Sequence, residues 1–489
     1  MKSKSYQQWN MPSIHLKYVL FLLLLCISAT AGSKHSIVKI YATNNEYDYE
    51  NPWSAPQQTY GSGTGFLIEK DKILTVAHVV ESQVYLEVQL DGDFYRYPAK
   101  IVALDSLADL ALLQVSDKEF CNKTKPLEFT TPPPPGSIIQ VLGYPGGGQE
   151  LCVTQGVISR TEIHPYCYSN SHFLATQIDA PINPGNSGGP VMLDGKVVGM
   201  AFQGATNQQN INYMIPLSII EHFLNDVRKE KISRFPSLGI EIQSMNSPSL
   251  RHFYNMKHDQ SGVLVTSVYE SSSASGVLQK GDIILSIDHV SLGNDGKVFY
   301  ENNRVFFSHL FNIKSFEERV ELEILRNGSV QTLSFRLTDL HDYSGLVPYI
   351  PKNIKPSYYI YGGIVFQPLT ENFFHLWGKH WQFTAPMRLL TCFLATKSHK
   401  DQQLVILSKV LPDLANTGYQ HFANSIIQAV NGKLVLNFQE FINEIENAQG
   451  EFLEITTLEG QTIILHPEEC RAANTRIMEN YHIYQLSRI

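Results

Sequence analysis

The sequence predicts a mainly β protein: a strand-rich first region, then two smaller α+β units. Three observations carry this. Short apolar runs bounded by turn residues recur from Ile37 to Tyr213. No helix-period segment interrupts them, which argues against a parallel α/β sheet. Beyond them, two segments repeat one order: glycine-containing loop, strand, turn, strand, helix.

The elements follow in order. Lys2, Lys4 and Lys17 precede a 12-residue apolar run, Tyr18–Ala29, and small residues follow at Ala29-Thr30-Ala31. That is the pattern of a secretory signal peptide over 1–31, and the run is too short to span a bilayer comfortably. Its removal takes away three basic residues and no acid, changing the net charge from −8 to −11. An acidic chain lacks the basic face that nucleic-acid binding needs. Without a second long apolar run, no stable membrane span is expected, and the mature chain is expected outside the cytoplasm, in the periplasm or secreted. Five cysteines remain, so at least one is free or pairs between chains. Cys152 and Cys167 are one possible pair.

The expected strands of the first region are Ile37–Ala42, Gly65–Glu69, Val84–Leu90, Leu110–Val115, Ile138–Leu142, Val153–Arg160, Phe173–Ile178 and Lys196–Phe202. Pro132–Pro135 is a stiff connector between two halves. A helix then starts near Pro216, with Leu217, Ile220, Leu224 and Val227 at helical spacing. The second unit, 236–342, holds strands Gly262–Val268, Ile283–Ile287, Val320–Leu325 and Val330–Leu337, and a helix over Arg304–Phe311. A linker runs from Gly345 to Pro356. The third unit, 357–489, holds strands Leu404–Val410 and Ser425–Val430 and a helix over Phe438–Glu446.

Three segments of the first region carry chemistry: Thr75-Val76-Ala77-His78, Asp109–Leu113, and Gly185-Asn186-Ser187-Gly188-Gly189-Pro190. A serine hydroxyl is a poor nucleophile at neutral pH and needs an adjacent base. A neutral imidazole suits that task. A carboxylate fixes the imidazole tautomer and stabilises the imidazolium. Singly, each segment has a structural explanation: a core histidine, a turn aspartate, a glycine hairpin. Together, in the order His78, Asp109, Ser187, they point to nucleophilic catalysis. The turn Gly185-Asn186-Ser187 is the candidate oxyanion hole, with the N–H groups of Gly185 and Ser187 as its donors. Isolated histidines such as His35, His164 and His399 lack partners at metal-ligand spacing, and Gly146-Gly147-Gly148 lacks the Gly-Lys-Ser/Thr of a phosphate loop, so no cofactor or metal is expected.

At these segments the chain resembles the HtrA/DegP-type serine proteases, a chymotrypsin-like double β-barrel followed by PDZ domains. GSGTGFLI (61–68), ILTVAHVV (73–80), DLALLQV (109–115), LGYPGGG (142–148), VTQGVISR (153–160) and INPGNSGGPV (182–191) carry the resemblance. The plant-type Deg branch shares the GYPGGG turn, an NDG insertion (294–296) and a YGGIVFQPL segment (361–369). The resemblance implies a protease domain over 32–232, a PDZ domain over 236–342 and a degenerate one over 357–489.

It also implies an ATP-independent endopeptidase acting on unfolded or damaged proteins as a homotrimer or larger assembly. The alternatives are a chaperone or scaffold holding unfolded clients with minor proteolysis, and a PDZ adaptor. Asn186 stands where trypsin-like zymogens keep an aspartate for a new N-terminus, so cleavage-driven ordering is not expected. Pro181 stands where an acidic residue would select Lys or Arg. Ile182, with the loop from Phe202 to Tyr213, is the expected pocket wall, suited to small or medium aliphatic residues.

In the second unit the N–H groups of Leu238, Gly239 and Ile240 are the candidate cradle for a peptide C-terminal carboxylate, the peptide extending the sheet. Gly362, Gly363 and Ile364 hold a similar place in the third unit, where docking or assembly is expected instead. Thr43–Tyr60 carries Tyr47, Tyr49, Trp53 and Tyr60, and reads either as a loop packed on its own aromatics or as a trimer contact.

Overall fold

The computed structural model describes residues 35–489 apart from 168, 170, 205–209, 232–234, 271, 302, 339–344 and 379. The signal peptide expected over 1–31 lies outside the described residues. The fold is mainly β. Its first half is a seven-stranded antiparallel sheet centred on Ile37–Glu46, which pairs with Gln57–Leu67 on one side and Gln83–Leu90 on the other. Ile40, Ala42, Leu86 and Val88 bury their side chains in its core, the alternation that a one-sided sheet requires. The second half is a closed six-stranded barrel from Ile138–Gly143 to Asn212–Pro216. Its interior is aliphatic, with Ile139, Val141, Ile158, Ile178, Val191 and Val198. The approach to Pro132–Pro135 is strapped to the barrel through Thr130 N–H to Val197 O at 3.0 Å.

Helix Leu217–Arg228 lies where its periodicity predicts, burying Ile219, Ile220, Phe223 and Leu224. The second unit is a sheet in the order Ile240–Ser244, Val263–Val268, Ile283–Ile287, Arg319–Arg326, Ser329–Arg336. The helix expected over Arg304–Phe311 is not formed. Lys297–Tyr300 and Asn303–Phe306 make a hairpin instead, followed by a single turn, His309–Asn312. Gly296 (φ 75°) supplies the left-handed turn before the hairpin, and Val298 opposite Val305 forms its buried pair. The strand Asn303–Phe306 packs against Cys152–Pro165 of the protease barrel, so tertiary contact overrides the helical spacing.

The third unit is an extended sheet in the order Thr462–Leu465, Leu453–Thr457, Ser425–Val430, Val405–Val410, Ile364–Pro368, Tyr358–Tyr361, Ser487–Arg488. Gly362 and Gly363 form the turn between Tyr358–Tyr361 and Ile364–Pro368. The edge of Ile364–Pro368 that a peptide would extend is therefore occupied by the chain itself.

Within Thr43–Tyr60, the tip at 47–56 corrects the expectation of a loop packed only on its own aromatics. It is braced internally by Asp48, whose Oδ1 accepts from the Glu50 and Asn51 N–H groups, and it docks on the third unit. Gln367 Nε2 donates to Tyr49 O at 2.9 Å, Lys409 Nζ to Asn51 Oδ1 at 2.8 Å, and Arg488 Nη1 to Pro52 O at 3.0 Å. The Trp53 ring lies edge-on to Tyr358 at 6.3 Å. All five described cysteines are free thiols, so Cys152 and Cys167 are unpaired. Among the described residues no helix is long and apolar enough to cross a membrane.

Candidate active site

His78 lies in a one-turn helix, Ala77–Val80, at the end of strand Lys72–Thr75. Val76 enters in extended geometry, and the turn buries Ala77, Val79 and Val80 against the sheet. Asp109 sits just before strand Leu110–Gln114 with φ 54° and 1% exposure. Aspartate tolerates this left-handed conformation better than most residues. Both of its oxygens go to one residue. Oδ1 accepts the His78 backbone N–H at 2.8 Å, and Oδ2 lies 2.7 Å from His78 Nδ1. A carboxylate only accepts, so Nδ1 carries the proton of this bond.

Ser187 sits in the tight loop after the barrel strand His172–Ile178. Its Oγ is 3.4 Å from the Phe202 carbonyl oxygen. That exceeds the usual ~2.5–3.0 Å of an O–H···O bond, so the hydroxyl is weakly held.

The loop around it spends its N–H groups selectively. Asn183-Pro184-Gly185-Asn186 is a turn closed by Asn186 N–H to Asn183 O at 2.9 Å. Proline at its second position and glycine with φ 101° at its third make it type II. Gly188 N–H donates to Ala201 O at 2.8 Å, and Gly189 N–H to Asn186 O at 2.9 Å. The Pro184 carbonyl accepts from Gly146 N–H at 2.6 Å. A trans peptide points its C=O and N–H in opposite directions, so the Gly185 N–H faces away from the Gly146 turn. Among the described residues, the Gly185 and Ser187 N–H groups have no protein acceptor. Both donors are left open to an anion. Asn186 lends no donor, which corrects its place in the expected oxyanion hole. Its N–H closes the turn, and its side chain is buried with Oδ1 unpartnered.

The hub that sequence reasoning missed is Thr64. Fully buried, it donates from Oγ1 to Gly185 O at 2.6 Å and accepts from Tyr144 N–H at 3.0 Å. Its own N–H donates to Ser187 O at 3.0 Å, and its carbonyl accepts from Thr75 Oγ1 at 2.7 Å. One residue thereby ties the nucleophile loop, the histidine strand and the Tyr144 turn together. Gly188 is where they touch, since a Cβ there would lie 2.1 Å from Thr64 O and 2.3 Å from Thr75 Oγ1. The Gly146–Gly148 turn is anchored by the buried Lys39, whose Nζ donates to Gly147 O at 2.7 Å.

Of the three expected pocket residues, only Ile182 is half-buried; it packs against the barrel core. Phe202 turns its ring into the core, 4.5 Å from the Tyr166 ring, and offers its carbonyl to Ser187. Tyr213 stacks on His164 at 3.9 Å and is 5% exposed. Residues 205–209 of the expected pocket loop lie outside the described residues. Leu238, Gly239 and Ile240 stand far along the chain, at the start of the edge strand Ile240–Ser244. Gly239 has φ 70°; its N–H is taken by Ser237 Oγ at 3.3 Å and its carbonyl by Tyr269 N–H at 2.9 Å. That strand's outer edge is unpaired among the described residues. No three His, Cys, Asp or Glu side chains among the described residues converge as a metal site.

The arrangement binds His78 at two atoms and leaves two N–H groups of the Ser187 loop without a protein acceptor among the described residues. Residues 63–200 match the family model of the trypsin-like peptidase domain, and 347–487 that of the PDZ domain. The chain is 34% identical over 460 residues to Protease Do-like 2, chloroplastic, of Arabidopsis thaliana, covering 93% of this chain and 74% of that one. It is 34% identical over 452 residues to Protease Do-like 4, mitochondrial, of the same plant, covering 92% and 84%. Among solved structures, the HtrA-type protease AlgW with decapeptide superposes with a TM-score of 0.50 at 22% identity, covering 64% of this chain and 98% of that one.

Proposed function

The chain belongs to the Do-like, HtrA-type family of serine endopeptidases, and on that premise we propose that it cleaves unfolded or damaged proteins through a Ser187 acyl-enzyme. His78 is the general base and then the acid, Asp109 orients it, and the Gly185 and Ser187 N–H groups bind the oxyanion. The observation that carries this is the double grip of Asp109 on His78, together with a loop in which the Asn186, Gly188 and Gly189 N–H groups are spent and those of Gly185 and Ser187 are not.

Ile182 forms the accessible wall of the specificity pocket, and the residue before the scissile bond is small or medium aliphatic. The absence of an acid at Pro181 supports this. The Leu238–Ile240 loop and the open edge after it bind the C-termini of peptides, whereas the third unit, its edge filled by Tyr358–Tyr361, docks. The apolar run at Tyr18–Ala29 behind Lys2, Lys4 and Lys17 supports export, with a periplasmic or secreted mature chain. N-terminal sequencing of the mature protein distinguishes this from the organellar import that the Arabidopsis relatives' names indicate. Family resemblance supports a homotrimer or larger multiple, which light scattering measures.

The test is to incubate the mature chain with a permanently unfolded protein, beside Ser187→Ala. Cleavage by the native chain alone is expected. Equal cleavage by both, or none by either, overturns the reading. Product ends dominated by Arg or Lys would overturn the pocket assignment.

A further inference from the structure

The helical turn that carries His78 ends on a buried acid. Glu81 is 4% exposed and caps the turn through its N–H to Ala77 O at 2.8 Å. Its Oε2 accepts a hydrogen bond from the Tyr349 hydroxyl at 2.8 Å, while Oε1 has no partner among the described residues. Tyr349 is distant in sequence and lies in the linker before the third unit. The third unit grips that linker on both sides of it. Val347 is buried with Leu369, Phe373 and Phe374. Glu371 N–H donates to Pro348 O at 2.9 Å. Asn372 holds Ile350 at both ends, its Oδ1 accepting from the Ile350 N–H at 3.1 Å and its Nδ2 donating to Ile350 O at 2.9 Å. Tyr349 thus carries a hydrogen bond from this clamp into the protease domain, onto the end of the histidine turn.

We propose that Tyr349 is a positioning residue for His78: the docked third unit holds its hydroxyl on Glu81 and thereby fixes the turn that aims the imidazole. This rests on the Ser187 reading above.

A four-residue turn has no stability of its own, so its geometry is set by what holds its ends. Asp109 holds the start of the turn through the His78 N–H, and Tyr349 holds its end through Glu81. A buried carboxylate deprived of its only donor pulls toward water, and the turn moves with it. Burial first, then the charge of Glu81, pushes the Tyr349 hydroxyl well above the usual phenol range, so it stays a donor at any working pH. A displacement of ~1 Å at a catalytic group can cost about 10²-fold in rate. Simple interdomain adhesion would instead change stability and leave the chemistry alone.

The experiment uses the full mature chain and reads the rate at which a fluorophosphonate labels Ser187, together with kcat and KM on a short peptide. Tyr349→Phe removes only the hydroxyl. Labelling and kcat are expected to fall about tenfold, the loss of one hydrogen bond to a charged group, with KM within about twofold. Glu81→Gln retains an acceptor, so it is expected to lose less than Glu81→Ala. Combining Tyr349→Phe with Glu81→Ala is expected to cost no more than Glu81→Ala alone. Native labelling and kcat in folded Tyr349→Phe, or independent multiplication of the two losses, overturns the proposal. If Tyr349→Phe does not fold, the Glu81 pair decides: equal rates for Gln and Ala overturn it. Equal labelling of native chain and Ser187→Ala would instead sink the nucleophile assignment, and this proposal with it.

Discussion

Gly185→Ala tests the oxyanion assignment at one atom. A Cβ at this position would lie 2.3 Å from Tyr144 O, a backbone atom in a turn anchored by Lys39, with the backbone at φ 101°. Neither partner can yield, so relief comes from rotating the Pro184–Gly185 peptide. That rotation breaks the bond from Gly146 N–H to Pro184 O and turns the Gly185 N–H out of the site. Loss of one such donor is worth ~2.7–4 kcal/mol of transition-state stabilisation, a fall of about 10²–10³ in kcat with KM little changed. Gly195→Ala is the control. It too has positive φ, 79°, but nothing lies within 4 Å of its Cβ, so it bears backbone strain without a clash. It is expected to lower the melting temperature and leave kcat within about threefold. The assay is kcat and KM on a fluorogenic peptide, with circular dichroism to verify folding. A folded Gly185→Ala chain within threefold of native kcat, or one matched by Gly195→Ala, would refute the reasoning.

The remaining predictions concern the triad, two buried titratable groups and the peptide cradle. Asp109→Asn offers an amide N–H to Nδ1, selects the wrong tautomer, and is expected to lower kcat by about 10⁴ without a matching loss of thermal stability. Burial pushes the Glu371 carboxyl up to about 7 from 4.5, so the folded chain binds this proton more tightly than the unfolded one. Stability is therefore lost as pH rises from 4.5 to 7, and Glu371→Gln is expected to stabilise by up to about 3 kcal/mol at pH 8 and far less at pH 4.5, read by denaturant titration. Burial lowers His309 to about 4 from 6.5, so its contribution is complete above pH 6.5 and lost as pH falls toward 4. His309→Phe is expected to flatten that acid limb; an unchanged limb would count against the assignment. A peptide with a free C-terminal carboxylate is expected to bind the full chain and its amidated form not to. Gly239→Val, at φ 70°, is expected to abolish the difference in a fluorescence-anisotropy titration.

What could be read from the sequence was what is local. His78, Asp109 and Ser187 each sit in a short segment whose residue types are dictated by the reaction, and their order along the chain narrows the chemistry further. The barrel strands and the helix Phe438–Glu446 were legible because apolar period and element coincide. Thr64 was not, since a threonine in a strand is ordinary and its role is set by partners 121 and 80 residues away. The segment Arg304–Phe311 misled because its aromatic residues satisfy helical spacing while the protease barrel selects the extended form. The aromatics of Thr43–Tyr60 left self-packing and a subunit contact both open, because nothing local to them names the surface they meet. The same holds for Tyr349, whose partner Glu81 lies 268 residues earlier.

The docking of segment 47–56 also bears on how the molecule is made. Its partners are Gln367, Lys409 and Arg488, up to 436 residues later in the chain. During synthesis the sheet and the barrel of the protease domain can form long before the surface that clasps them exists. At ~5–20 residues per second, the stretch from Tyr349 to Arg488 takes roughly 7–28 s to emerge. For that interval a nascent protease domain exists without its clasp, its aromatic hairpin tip bare and its histidine turn unsupported from behind. Completion of translation then acts as a timer, and a chain interrupted before the third unit carries the residues for cleavage without the brace that aligns them.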